Sequence, residues 1–116
     1  MASPPINATL VIPQGTTWEK RWHITDPETG VSRDLSEWSA RGQIRADHSA
    51  SVVLYEWTGD AITCDVDGDV TITVTPAESS AWAWRDGVYD VELVDPTGRV
   101  VRIAQGAVRV SPEVTR

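Results

Sequence analysis

Turn signals recur along this chain too often to leave room for long helices. Pro13-Gln14-Gly15, Asp26-Pro27-Glu28-Thr29-Gly30, Thr58-Gly59-Asp60, Asp67-Gly68, Asp86-Gly87 and Asp95-Pro96-Thr97-Gly98 cut it into short stretches. Pro presets φ and Gly supplies positive φ at such points, and close spacing of this kind belongs to sandwiches and barrels. Between the turns, apolar and polar residues alternate as in half-buried strands. From Thr16 to Ile24, Trp18, Trp22 and Ile24 share one face and Glu19, Arg21 and His23 the other. Lys20 interrupts the apolar face, which marks an edge strand or a snorkelling stem. From Ser39 to Ala46, the small residues Ala40, Gly42 and Ala46 accompany Ile44 on one face, so something bulky is expected to pack over that strand. Around Asp67-Gly68, the sequence predicts a tight hairpin with Ile62, Cys64 and Val66 facing inward on one side and Val70, Ile72 and Val74 on the other.

The remaining stretches fill in the architecture. Ile6 to Ile12 reads as the first strand, and Asp34 to Trp38 as one helical turn capped by Asp34. A strand over Val52 to Trp57 follows the polar loop Asp47 to Ser51. Thr75-Pro76-Ala77-Glu78 has the N-cap, N1 proline and N3 glutamate of a short helix. Tyr89, Val91 and Leu93 face inward on a strand from Val88 to Val94. In Val100 to Val110 the apolar positions change parity, and a bulge near Gln105-Gly106 reconciles the two halves. The expectation is a single all-β domain spanning residues 1–116: an antiparallel β-sandwich of about eight strands with one or two short helical turns. A small barrel satisfies the same pattern.

The chain has 116 residues, 41% of them hydrophobic, which suits one folded domain with one core. Its formal net charge is −7 and its pI about 4.6. That balance argues against a nucleic acid backbone and against an anionic membrane as partners. Cys64 is the only cysteine, so no internal disulfide forms and a reducing cytoplasm is the expected place of synthesis. Met1-Ala2-Ser3-Pro4-Pro5 has no basic or apolar leader character, so no signal peptide is expected.

The residues that carry chemistry elsewhere do not assemble into a motif. A calcium-binding loop needs Gly at its sixth position and Glu at its twelfth; counted from Asp65, Gly68 is fourth and Pro76 twelfth. Asp65, Asp67 and Asp69 therefore read as a solvated turn. His23 and His48 have no second ligand at metal spacing and read as surface residues. Cys64 reads as a small inward hydrophobe. Asp90 and Glu92 share a strand face, which reads as an exposed sheet surface and not as an acid–base pair. No nucleophile elbow, triad or phosphate loop is present. No catalytic residue, no metal ligand and no cofactor are expected, and the chain is read as a binding or assembly surface, not an enzyme.

Six Trp, two Tyr and no Phe single out the tryptophans. Trp18 and Trp22 lie on an apolar strand face and read as core. Trp38, Trp57, Trp82 and Trp84 stand at element ends among polar neighbours and are the candidate interface residues, because exposed Trp is favoured at protein interfaces and in sugar stacking. Pro4 and Pro5, in the segment 1–5, mark either an extended docking arm or a frayed terminus.

The segments Tyr89-Asp90-Val91-Glu92-Leu93, Asp95-Pro96-Thr97-Gly98 and Arg102 to Arg116 resemble small virion proteins of tailed bacteriophages. So do Gln14-Gly15-Thr16-Thr17, Asp34-Leu35 and Gln43-Ile44-Arg45. The similarity is to the LtfC-like β-sandwich family of phages that infect actinobacteria, and to the N-terminal domain of upper-baseplate proteins. It spans nearly the whole chain and rests on turn and core positions, so it brings no functional residues with it. The resemblance implies a non-enzymatic structural protein of the virion, made in the host cytoplasm. It would be a minor tail or baseplate component, contacting other virion proteins in several copies by burying apolar and Trp surface and by pairing strand edges. Head decoration or head–tail joining is one alternative, and a carbohydrate-binding module that attaches to host glycans through exposed Trp is another.

Overall fold

The computed structural model describes residues 5–115. Two separate sheets face each other, so the chain is a β-sandwich and not a closed barrel. The larger sheet holds β1 (Ile6–Asn7), β2 (Leu10–Pro13), β9 (Val100–Ser111), β8 (Asp86–Val94), β4 (Ser39–Arg45) and β5 (Val53–Trp57), with β1 and β2 end to end along β9. The smaller sheet runs β3 (Trp18–His23), β7 (Asp69–Val74), β6 (Ile62–Cys64). A 3-10 turn, Gly59–Ala61, and one short helix, α1 (Pro76–Ser80), complete it. The core lies between the sheets and includes Leu10, Ile12, Trp22, Leu35, Ile44, Val70, Ile72, Val74, Val91 and Leu93.

Several expectations are realised in detail. Lys20 does face inward on a strand that forms a sheet edge, and its ammonium lies 5.9 Å from the centre of the Trp22 ring. The bulky residue over the small-residue strand is Trp57: a Cβ on Gly42 would stand 3.1 Å from its ring. The helix start is a full capping box. The Thr75 hydroxyl accepts from the Glu78 amide, the Glu78 carboxylate accepts from the Thr75 amide, and Pro76 occupies the first turn.

Other expectations need correction. The first strand is two, and both pair with β9 in parallel: Ile6 opposite Ala104, Leu10 opposite Val108. They keep one register but break at Ala8, whose carbonyl accepts from the Tyr89 hydroxyl at 2.8 Å. The bulge in β9 falls at Ile103, because Val91 pairs with Ala104 and Glu92 with Arg102. It lies two residues before Gln105, and it leaves both Ile103 and Ala104 buried. Gly106 instead makes room for the N-terminal strands, since a Cβ there would overlap the Ala8 carbonyl oxygen.

Asp34 to Trp38 is a β-turn and not a helical turn. The Asp34 carboxylate accepts from the Ser36 amide at 2.9 Å, and the Trp38 amide bonds to the Leu35 carbonyl. The Asp67-Gly68 connection is a loop from Asp65 to Gly68, wider than a two-residue hairpin. Asp65 organises it by accepting from the Asp67 and Asp69 amides. The strand therefore stops at Cys64, and Val66 points outward, 59% exposed. Gly68 has φ +86°, and a Cβ there would come within 2.7 Å of the Ile24 carbonyl oxygen.

Candidate functional site

The structure sorts the four candidate tryptophans into two groups. Trp57, at the end of β5, is 1% exposed, and Trp82, two residues beyond α1, is 9% exposed. Both belong to the core and leave the candidate surface. Tyr55 joins them, with ring centres 5.4 Å from Trp57 and 5.1 Å from Trp82 in edge-on contact. Trp84 extends the stack, 4.7 Å from Trp82 at a 30° tilt. Aromatic pairs at these separations add stabilisation beyond their area.

This cluster is tied to α1 by residues that sequence reasoning missed. The Tyr55 hydroxyl donates to the Glu78 carboxylate at 2.8 Å. The Thr75 amide, burial and that hydroxyl act on Glu78, with the net effect of holding its carboxyl below the usual range. Gln14 donates to the carbonyls of Ser79 and Trp82, and the Gly15 amide donates to the Ser79 hydroxyl at 2.8 Å. Ser79 is fully buried. Gln14 was visible in the sequence only as part of a turn signal, because its partners lie more than sixty residues away.

Trp38, directly before β4, is half-buried and stands between two clefts. One is broad and shallow, along the side of the sandwich, lined by Trp38, Ala40, Trp57, Ile62 and Cys64 among others. There the Cys64 thiol donates to the Trp38 carbonyl at 3.4 Å. Burial and the nearby Asp65 push that thiol up, which disfavours a reactive thiolate.

The second cleft, of about 370 Å³, opens where the end of β3 and the loop after it approach the β8–β9 turn. Its apolar floor is Ile24, Trp38, Leu93, Val101 and Ile103, with Ile6 of β1 as one wall. Arg33, Arg99 and Arg102 stand on its lining, and Asp95 is the one acid on that lining among the described residues. The Arg33 guanidinium lies 5.7 Å from the centre of the Trp38 ring and 3.4 Å from the Asp26 carboxylate. The loop that carries Asp26 is braced by an isolated bridge between Thr25 and Ser32. Pro5 is half-buried and directly precedes Ile6. Pro4 lies outside the described residues.

Asp90 and Glu92 lie on the outer face of the larger sheet within a cross-strand polar ladder. Arg41 donates to Glu92 at 2.9 Å. Arg102 lies 3.6 Å from Asp90 and 3.8 Å from Glu92. Burial and Glu92 push the Asp90 carboxyl up, against the pull of Arg102, Arg41 and Arg45. With both carboxylates held by arginines, the pair is a structural ladder. His23 is likewise engaged, 2.9 Å from Asp69 and 2.8 Å from Ser32, and His48 is exposed.

The sheet edges are blunted. β1 and β2 are interrupted and flanked by Pro5 and Pro13, β3 carries the inward Lys20, and β6 has three residues. β5 bulges at Leu54, since Ile44 pairs with Tyr55 and Arg45 with Val53. Each device disfavours strand addition, which leaves clefts and faces, not edges, as contact surfaces. Trp22, Trp57 and Trp82 are buried, while Trp18, Trp38 and Trp84 are partly exposed.

No family model matches this sequence, and no curated protein matches it. Solved structures do. One is the extracellular domain of the voltage-gated sodium channel β4 subunit, described as a parallel homodimer that explains a role in cell–cell adhesion. It is 11% identical, with 98% of each chain covered and a TM-score of 0.52. A second comes from work on multimeric cell-adhesive interactions of sodium channel β subunits, also 11% identical, covering 95% of this chain and 96% of that one at a TM-score of 0.52. At this identity the likeness shows the fold alone: an immunoglobulin-like β-sandwich.

Proposed function

We propose that this chain is a non-enzymatic assembly protein of a tailed-phage virion, a minor tail or baseplate component that works through contacts with other virion proteins. The observation that carries this reading is the cleft beside Trp38. It combines an apolar floor, a half-buried tryptophan and three arginines, the composition of a protein-docking site. The resemblance of the turn and core segments to phage sandwich proteins supports the virion setting. The use of the same fold for homodimeric adhesion in the sodium channel β4 subunit supports contact-making as its work. Head decoration or head–tail joining is the nearest alternative position.

The test is gold-labelled antibody imaging of purified particles of the phage that encodes the chain, with antibody raised against it. Label at the tail tip or baseplate is expected. Absence of label from particles, with the epitopes shown to be accessible and the protein present in infected cells, overturns the virion reading. Label on the head moves the protein to the decoration role.

A further inference from the structure

We infer that the cleft beside Trp38 is the docking site for an acidic segment of a protein partner, anchored by an apolar side chain. This rests on the assembly reading above and names the chemistry of the partner.

Charge complementarity over an apolar floor identifies that partner. The chain is strongly acidic, with 17 Asp and Glu against 10 Lys and Arg. Yet Arg33, Arg99 and Arg102 all line this one cleft; Arg33 is paired with Asp26 and Arg102 with Asp90 and Glu92, and the one acid on the lining among the described residues is Asp95. The Asp95 carboxylate is turned into its own loop, where it accepts from the Thr97 amide, the Thr97 hydroxyl and the Arg99 amide. It is spent on turn geometry, and it leaves the Arg99 guanidinium without an ion pair within 4 Å among the described residues. The Arg102 guanidinium stands off its carboxylates at 3.6 and 3.8 Å and is 49% exposed, so it can also face outward to an incoming acid.

Below this rim the floor is hydrophobic and rigid. Leu93 and Ile103 are buried by the sandwich itself, and the Arg33 guanidinium lies 5.7 Å from the centre of the Trp38 ring. Ile6 is 50% exposed at the wall, an apolar surface with room for a partner side chain. A volume of about 370 Å³ admits an anchor of leucine or tryptophan size and suits a bound segment better than a flat subunit face. Acidic residues flanking that anchor meet guanidiniums, which grip carboxylates with two parallel hydrogen bonds.

The experiment is titration calorimetry of the whole chain with two terminally blocked peptides. Each carries a central Leu-Val pair, flanked on both sides by two glutamates in one and by two lysines in the other. The acidic peptide is expected to bind saturably at up to about millimolar concentration and to weaken as salt rises. The Arg99→Glu variant should weaken it about tenfold or more, because a rim charge is reversed; Arg99 is exposed, and an unchanged melting temperature verifies the fold. An Ile6→Asp variant should also lose binding. Failure of the acidic peptide to bind, equal binding of both peptides, or indifference to Arg99→Glu overturns the proposal. So does tighter binding of a single-stranded DNA oligonucleotide that competes at the cleft. The two readings fail separately: particle label without peptide binding sinks the cleft alone, and peptide binding without particle label sinks the virion setting alone.

Discussion

Trp57→Ala removes an indole that rests on Gly42 and on the edge of Tyr55. At 1% exposure the hole it leaves stays closed to water, so a loss of about 3–5 kcal/mol is expected in chemical denaturation. A loss below about 1 kcal/mol would mean that the indole is not core. This residue also shows where reading the sequence stops. The small residues Ala40 and Gly42 announced a bulky neighbour, but nothing local said that the neighbour was Trp57, placed across the sheet by strand pairing. The division among Trp38, Trp57, Trp82 and Trp84 follows the same rule. Their flanking residues are similarly polar, and only the distant Tyr55 and α1 decide which are covered. Trp18 and Trp22, by contrast, could be placed from the alternation of a single strand.

Among the elements, one tyrosine of β8 reaches the junction of the N-terminal strands with a hydrogen bond to the Ala8 carbonyl. Tyr89 pairs opposite Gly106, and the missing side chain there lets Ala8 come close enough for the phenol to bond its carbonyl. Burial pushes the Tyr89 hydroxyl up to about 12, from a usual value near 10. The folded state thus favours the neutral phenol more than the unfolded chain does. That contribution to stability is complete below pH 10 and is lost as pH rises toward about 12, because the unfolded chain then releases a proton that the folded chain keeps. Tyr89→Phe should flatten this alkaline decline, measured as melting temperature against pH. The Tyr55 phenol, also raised by burial, keeps part of it. At neutral pH the variant should lose about 1 kcal/mol for the orphaned Ala8 carbonyl. An alkaline limb identical to that of the parent protein would contradict the assignment. The sequence marked Tyr89 as inward and β9 as bulged, since alternation reveals both. It did not reveal parallel pairing between the two ends of the chain, because register across such a separation leaves no local trace. The bulge was placed late for a related reason: Gly106 looked like its cause but serves the approach of Ala8.

At the scale of the whole molecule, the two-sheet sandwich was legible because turn spacing and alternation are properties of the entire chain. The cleft was not, because its floor and rim come from β1, the stretch from the end of β3 to Trp38, β8, the β8–β9 turn and β9, five separate segments that only the fold assembles. Blunted edges and a charge-laddered outer face are why this cleft is proposed as the place where a partner docks. The most direct measurement is photo-crosslinking within assembled particles, with a benzophenone amino acid at Ile6 on the cleft wall and a control at Val66 on the remote loop between β6 and β7. The Ile6 position should yield an adduct to another virion protein, mapping to an acidic segment, while the Val66 position should not. Equal yields from the two positions, or no adduct from Ile6 in particles that contain the chain, would mean that the cleft is not where this protein meets its partner.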